Sequence, residues 1–137
     1  MPPVNWIGVL VAWIAAWLLQ GICYMVVGRI WTKALGWTAA DLHGPDGRRR
    51  MPIGPMILSL AAELLMALML AGIIGHLGGP NLAIGVVSGV LVWLGFVVTT
   101  ISVNNSFQRR SLTLTVVDAG IWLAVLIVQG AIIGLFG

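Results

Sequence analysis

Apolar residues gather into four long runs separated by three polar breaks. The runs cover about residues 4–27, 55–74, 82–103 and 112–136. Each has roughly 20 residues or more, enough for a helix rising about 1.5 Å per residue to cross about 30 Å of hydrocarbon. Gly78-Gly79-Pro80-Asn81 reads as a tight turn, and Asn104 to Arg110 as a short polar link. Short links make antiparallel neighbours. The expected fold is all-α: one integral membrane four-helix bundle occupying residues 1–137.

The longest connection runs from Gly28 to Gly54. Trp31, Leu35 and Trp37 stand there among Arg29 and Lys33, a pattern suited to a short helix lying at the membrane interface. Thr38-Ala39-Ala40-Asp41 resembles a capping box that opens another helical turn, and Gly44-Pro45-Asp46-Gly47 reverses the chain ahead of Arg48, Arg49 and Arg50.

Composition agrees with that pattern. The chain is 60% hydrophobic and 8% charged, whereas soluble domains carry about 25% charged residues to cover a wet surface. The four runs use most of the length and leave no room for a soluble domain. The net charge of +3 does not signal nucleic acid, because the basic residues are few and form no broad stripe. All seven fall in the first or third connection: Arg29, Lys33, Arg48, Arg49, Arg50, Arg109 and Arg110. By the positive-inside rule those connections are expected in the cytoplasm and both termini on the non-cytoplasmic face. Arg48 to Arg50, Arg109 and Arg110 are then topology determinants that also meet lipid headgroups. A multi-pass protein of a bacterial inner membrane is the expected setting. The first run is too long for a signal sequence and reads as a retained helix. Cys23 stands alone, which rules out an internal disulfide and reads as a small buried residue.

Candidate chemistry lies in the polar groups within the runs. A carboxyl in hydrocarbon costs at least about 2.5 kcal/mol and persists when paired, protonated or facing a cavity. Glu63 and Asp118 are such carboxyls. Counted inward from the basic connections at about 1.5 Å per residue, both lie roughly 12 Å deep, with Gln20 and Thr100 comparably placed. A polar layer of Gln20, Tyr24, Glu63, Thr99, Thr100, Asn104 and Asp118 is therefore expected in the cytoplasmic half. Helical angles put Trp6, Trp13, Trp17, Gln20, Tyr24 and Trp31 on one face of the first run, opposite Gly8, Ala12 and Ala15. Gly89, Trp93, Phe96, Thr100 and Asn104 share a face of the third, and Ser111, Asp118, Trp122, Val125 and Gln129 one of the fourth. If these faces converge, Trp13, Trp17, Trp93 and Trp122 cap the polar layer outward. The layer reads either as interhelical glue or as a site with a protonatable carboxyl and an aromatic wall suited to an apolar or cationic molecule. Trp6, Trp31 and Trp37 read as interface anchors. Gly85-x-x-x-Gly89 and Gly130-x-x-x-Gly134 permit close approach of helices, within the chain or between copies. His43 and His76 fall in connections at opposite faces. The sequence holds no phosphate loop, nucleophile triad or metal cluster, so neither catalysis nor a cofactor is expected.

Several of these positions together resemble a known family. They are Asn5-Trp6 at the start of the first run, Tyr24 with Gly28 and Trp31 at its end, and Gly54-Pro55 opening the second. Leu94-Gly95-Phe96-Val97-Val98-Thr99-Thr100 with a following Asn and Phe107 continues the pattern, and Asp118-Ala119-Gly120 with Gly130-Ala131-Ile132-Ile133-Gly134 completes it. The chain resembles a family of uncharacterised bacterial and fungal four-helix membrane proteins, a domain of unknown function. It departs from that pattern in Met25-Val26, where Ser-Pro is expected, and in Trp122, where a histidine is frequent. The resemblance implies a four-helix membrane fold and brings no activity, substrate or catalytic residue with it.

Two functional expectations follow. The first is a non-enzymatic bundle that acts by assembly, with itself or as an accessory subunit among membrane lipids. The second is a small proton-linked transporter of an apolar or cationic solute that uses an intramembrane carboxylate.

Overall fold

The computed structural model describes residues 3–137, and the chain is helical almost throughout. Helix α1 spans Trp6–Leu35. Asn5 caps it, its side-chain oxygen accepting from the backbone N–H groups of Ile7 at 3.1 Å and Gly8 at 3.2 Å. Nothing between Gly28 and Leu35 breaks a helix, so α1 absorbs the segment expected to form a separate interfacial helix. It ends where Gly36 turns left-handed at φ 74°. There the N–H of Gly36 donates to Lys33 and that of Trp37 to Thr32, each at 3.0 Å.

The four-residue helix α2, Ala39–Leu42, follows. The Asp41 carboxylate closes its start by accepting from the Thr38 N–H at 2.7 Å and hydroxyl at 3.0 Å. A small hairpin then carries the arginines: Gly44 donates to the Arg48 carbonyl and Arg50 to that of Leu42, both at 2.8 Å, around an isolated bridge between His43 and Arg49.

Helix α3 spans Ile53–His76. The third membrane-length element is continuous from Leu82 to Phe107, but it is built from α4 (Leu82–Val92), a π-helical turn (Trp93–Val97) and α5 (Val98–Phe107). Helix α6 spans Leu112–Phe136. Four helices are thus long and apolar enough to cross a membrane.

Helix α6 is the hub and packs most closely on α1 and α4. Its approach to α4 depends on absent side chains. A Cβ on Gly85 would fall on the Gly130 carbonyl oxygen, one on Gly89 on the Leu126 carbonyl oxygen, and one on Gly134 on the Asn81 carbonyl oxygen. Both glycine pairs singled out in the sequence are therefore spent inside the chain. At the far end Asn5 donates to the Phe136 carbonyl, joining the start of α1 to the end of α6. The hydrophobic core lies toward that end, among Val9, Ala12, Ala67, Leu70, Ala71, Ile74, Leu126 and Ile133. All seven basic residues lie at the opposite end.

Helix α3 is not level with α6. Gln129 meets Glu63, yet Gln129 stands seven residues further from the start of its helix than Glu63 does from its own. At about 1.5 Å per residue, α3 is displaced by about 10 Å toward the Asn5–Phe136 end.

Candidate functional site

That displacement divides the expected polar layer in two. Toward the basic end Asp118, half-buried on α6, accepts at Oδ1 from the Tyr24 hydroxyl at 2.8 Å and the Trp31 indole N–H at 3.0 Å. Tyr24 and Trp31 meet edge to face with ring centroids 5.4 Å apart, and Trp31 and Trp37 at 5.3 Å. Trp31 is therefore not only an interface anchor: it helps tie α1 to a carboxyl group of α6.

Glu63 lies elsewhere. It is 0% exposed, and Gln129, also 0% exposed, donates from Nε2 to its backbone carbonyl at 3.0 Å. Gln129 stands 11 residues beyond Asp118, about 16 Å along the helix axis. Glu63 and Asp118 are thus at different depths, because counting from the basic connections assumed that α3 and α6 begin at one level. Neither carboxyl oxygen of Glu63 has a hydrogen-bond partner, and neither has Gln129 Oε1 or the hydroxyl of buried Ser88. Ser88 escaped the sequence reading because a lone serine in an apolar helix gives no signal. Gln20 is buried on α1, higher than Tyr24.

The tryptophans tie helices together through their indole N–H groups. Trp13 donates to the Leu60 carbonyl at 2.7 Å, Trp17 to the Ser59 hydroxyl at 3.0 Å, and Trp93 to the Ala119 carbonyl at 2.7 Å. Trp122 is half-buried on α6. The buried face of α1 carries Gly8, Val9, Ala12, Ala16 and Gln20; Ala15 of the expected small face is half-buried, and the tryptophans flank the buried face rather than lie opposite it.

Thr99, Thr100 and Asn104 do not join the interior and are exposed on the outside of α5. The cause is the π turn at Trp93–Val97. A π turn takes in one extra residue, which rotates everything after it by about 100° relative to an unbroken α-helix. The face that leaves Gly89 and Trp93 continues through Val97, Ile101 and Asn105, all half-buried, rather than through Phe96, Thr100 and Asn104. Asn105 then takes the interior role, donating to the Thr115 hydroxyl on α6 at 3.0 Å. Regular 3.6-residue spacing carries no mark of such a turn. The displaced threonines satisfy their hydroxyls on their own helix, Thr99 donating to Gly95 at 2.9 Å and Thr100 to Phe96.

A family described as "protein of unknown function (DUF1761)" matches residues 7–134. The chain belongs to the DUF1761 family. No curated protein and no solved structure matches it. In this DUF1761 chain the match takes in the Tyr24–Asp118–Trp31 cluster, the Glu63–Gln129 contact and the π turn. His43 and His76 stand at opposite ends of the bundle, and among the described residues no three of His, Cys, Asp and Glu gather as a metal site. What the interior of this DUF1761 protein offers is hydrogen-bonding chemistry: one carboxylate held by two donors, and one carboxyl held by none.

Proposed function

We propose that this DUF1761 protein is a non-enzymatic membrane bundle that works by assembling with other copies of itself through the outer face of α5. The observation behind this reading is the polar strip Thr99, Thr100 and Asn104, exposed together with Phe96 at 74%, Val103 at 55% and Phe107 at 87%. Polar side chains on the outside of a membrane helix find their best partners on another helix. The glycine and tryptophan faces are occupied within the chain, which leaves α5 as the free polar one. In the same reading the basic end faces the cytoplasm and Asn5 and Phe136 face away from it. Reporter fusions at each terminus test that topology.

The assembly is tested by Val103→Cys in a Cys23→Ala background, oxidised in native membranes, with gentle extraction and native mass spectrometry alongside. A disulfide-linked dimer and a defined copy number are the expected results. Absence of crosslinking together with a monomer that carries no other chain overturns the reading.

A second reading rests on Glu63. A carboxyl with no exposure and no partner in a membrane bundle is costly, and small proton-linked transport is one function that uses such a group. Unimpaired proton-coupled uptake in Glu63→Gln counts against it.

A further inference from the structure

We infer that Glu63, Ser88 and Gln129 form a proton-binding site in the middle of the bundle, with Glu63 holding the proton. It rests on the carboxyl of the transport reading but requires no transport.

The three side chains come from three helices and are 0%, 3% and 0% exposed. Gln129 reaches α3 at Glu63. Ser88 precedes Gly89, whose missing Cβ lets α4 settle on the Leu126 carbonyl, one turn before Gln129. The three residues thus occupy one layer about a helical turn thick, roughly 5.4 Å.

Donor and acceptor counting decides what that layer lacks. Gln129 uses one N–H of its amide on the Glu63 backbone carbonyl, which leaves its second N–H and the acceptor Oε1. Both Glu63 oxygens, Gln129 Oε1 and Ser88 Oγ are buried without partners. With Glu63 ionised, its two oxygens and Gln129 Oε1 are three acceptors for two donors in this layer, the Ser88 hydroxyl and the second Gln129 N–H. One proton taken from water forms an O–H bond on Glu63 and turns the carboxyl into a donor and an acceptor at once. Its O–H then serves Gln129 Oε1, and its remaining oxygen accepts from Ser88. A buried polar atom left without a bond bears its full desolvation penalty, so closing two such gaps is a strong preference.

No other charge competes for the role. On the helices that pack around Glu63, the ionisable side chains in the spans are Cys23 and Tyr24 on α1 and Asp118 on α6, all toward the basic end, while α4 has none. Within α3 the other titratable group is His76, at the opposite end. Every Lys and Arg lies at the basic end.

Glu63 is the single glutamate of the chain, so carboxyl labelling reports it without mutation. The protein is labelled with ¹³C at the glutamate side-chain carboxyl, placed in phosphatidylcholine bilayers and read by solid-state NMR and isotope-edited infrared spectroscopy at pH 7. The expected result is a carboxylic-acid C=O signal in potassium and sodium buffers alike, which Ser88→Ala shifts by removing its hydrogen bond. A carboxylate signal at pH 7 overturns the inference. So does an acid signal that sodium converts to carboxylate, since the site would then hold a metal cation. Lost uptake with an intact acid signal would bear on transport alone.

Discussion

Tyr24 and Asp118, 94 residues apart in sequence, meet through a 2.8 Å hydrogen bond that joins α1 to α6 near the basic end. Trp31 donates to the same oxygen from two turns further along α1. A carboxylate that costs several kcal/mol to bury alone is accommodated by two donors and three aromatic rings.

Tyr24→Phe removes one donor and keeps the ring. Hydrogen bonds to charged groups contribute about 1.5–3 kcal/mol, and a half-buried pair belongs at the lower end of that range. A loss of about 1.5 kcal/mol in detergent unfolding is expected, with a smaller additional loss in the Tyr24→Phe/Trp31→Phe double variant. Unchanged stability would show that the cluster does not hold α1 to α6.

The α4–α6 contact sets a limit on size. Gly89→Leu drives a side chain into the Leu126 backbone, where overpacking costs about 1–3 kcal/mol or more. Gly95→Ala and Gly120→Ala, with nothing within 4 Å of the added Cβ, are expected to be close to neutral. Thermal melts of the three variants in one detergent make the comparison.

Inserting one alanine between Val98 and Thr99 puts the rest of α5 one residue out of phase with its interior face. Helix α5 then rotates by about 100°, turning Thr100 and Asn104 inward and withdrawing Asn105 from Thr115. The Val103→Cys crosslink is expected to fall sharply in this background. An insertion variant that folds and crosslinks as before would show that the α5 face does not carry assembly.

Asp41 sets the acid response of the first connection. Its carboxyl is held below the ordinary carboxylate range by hydrogen bonds from the Thr38 N–H and, second, the Thr38 hydroxyl. A depressed folded-state value means the stabilisation is present at neutral pH and disappears as pH falls through that value. The Thr38 amide proton, followed by NMR during acidification, is expected to keep its shift until below the ordinary Asp range. In Asp41→Asn that titration is absent.

Four membrane-length helices, the glycine contacts and the capping box at Thr38 are legible because each is written locally, in hydropathy, spacing or a capping side chain. Two features are not. The π turn leaves no trace in periodicity, so regular spacing puts Thr100 and Asn104 on the interior face in place of Ile101 and Asn105. The displacement of α3 is set by Gln129 and by the tryptophan contacts to Leu60 and Ser59, which are long-range, and counting depth from loop arginines puts Glu63 at the depth of Asp118. Ser88 is buried by helices distant in sequence, which no local pattern around it shows.

The displacement of α3 also bears on how the bundle sits in lipid. Its apolar wall stands about 10 Å further along the bundle axis on the α3 flank than on the α6 flank, more than a bilayer of fixed thickness absorbs without strain. The molecule meets that mismatch by tilting, or the lipid around it deforms, thinner on one side and thicker on the other. Membrane thickness is therefore a variable to which this bundle's orientation responds.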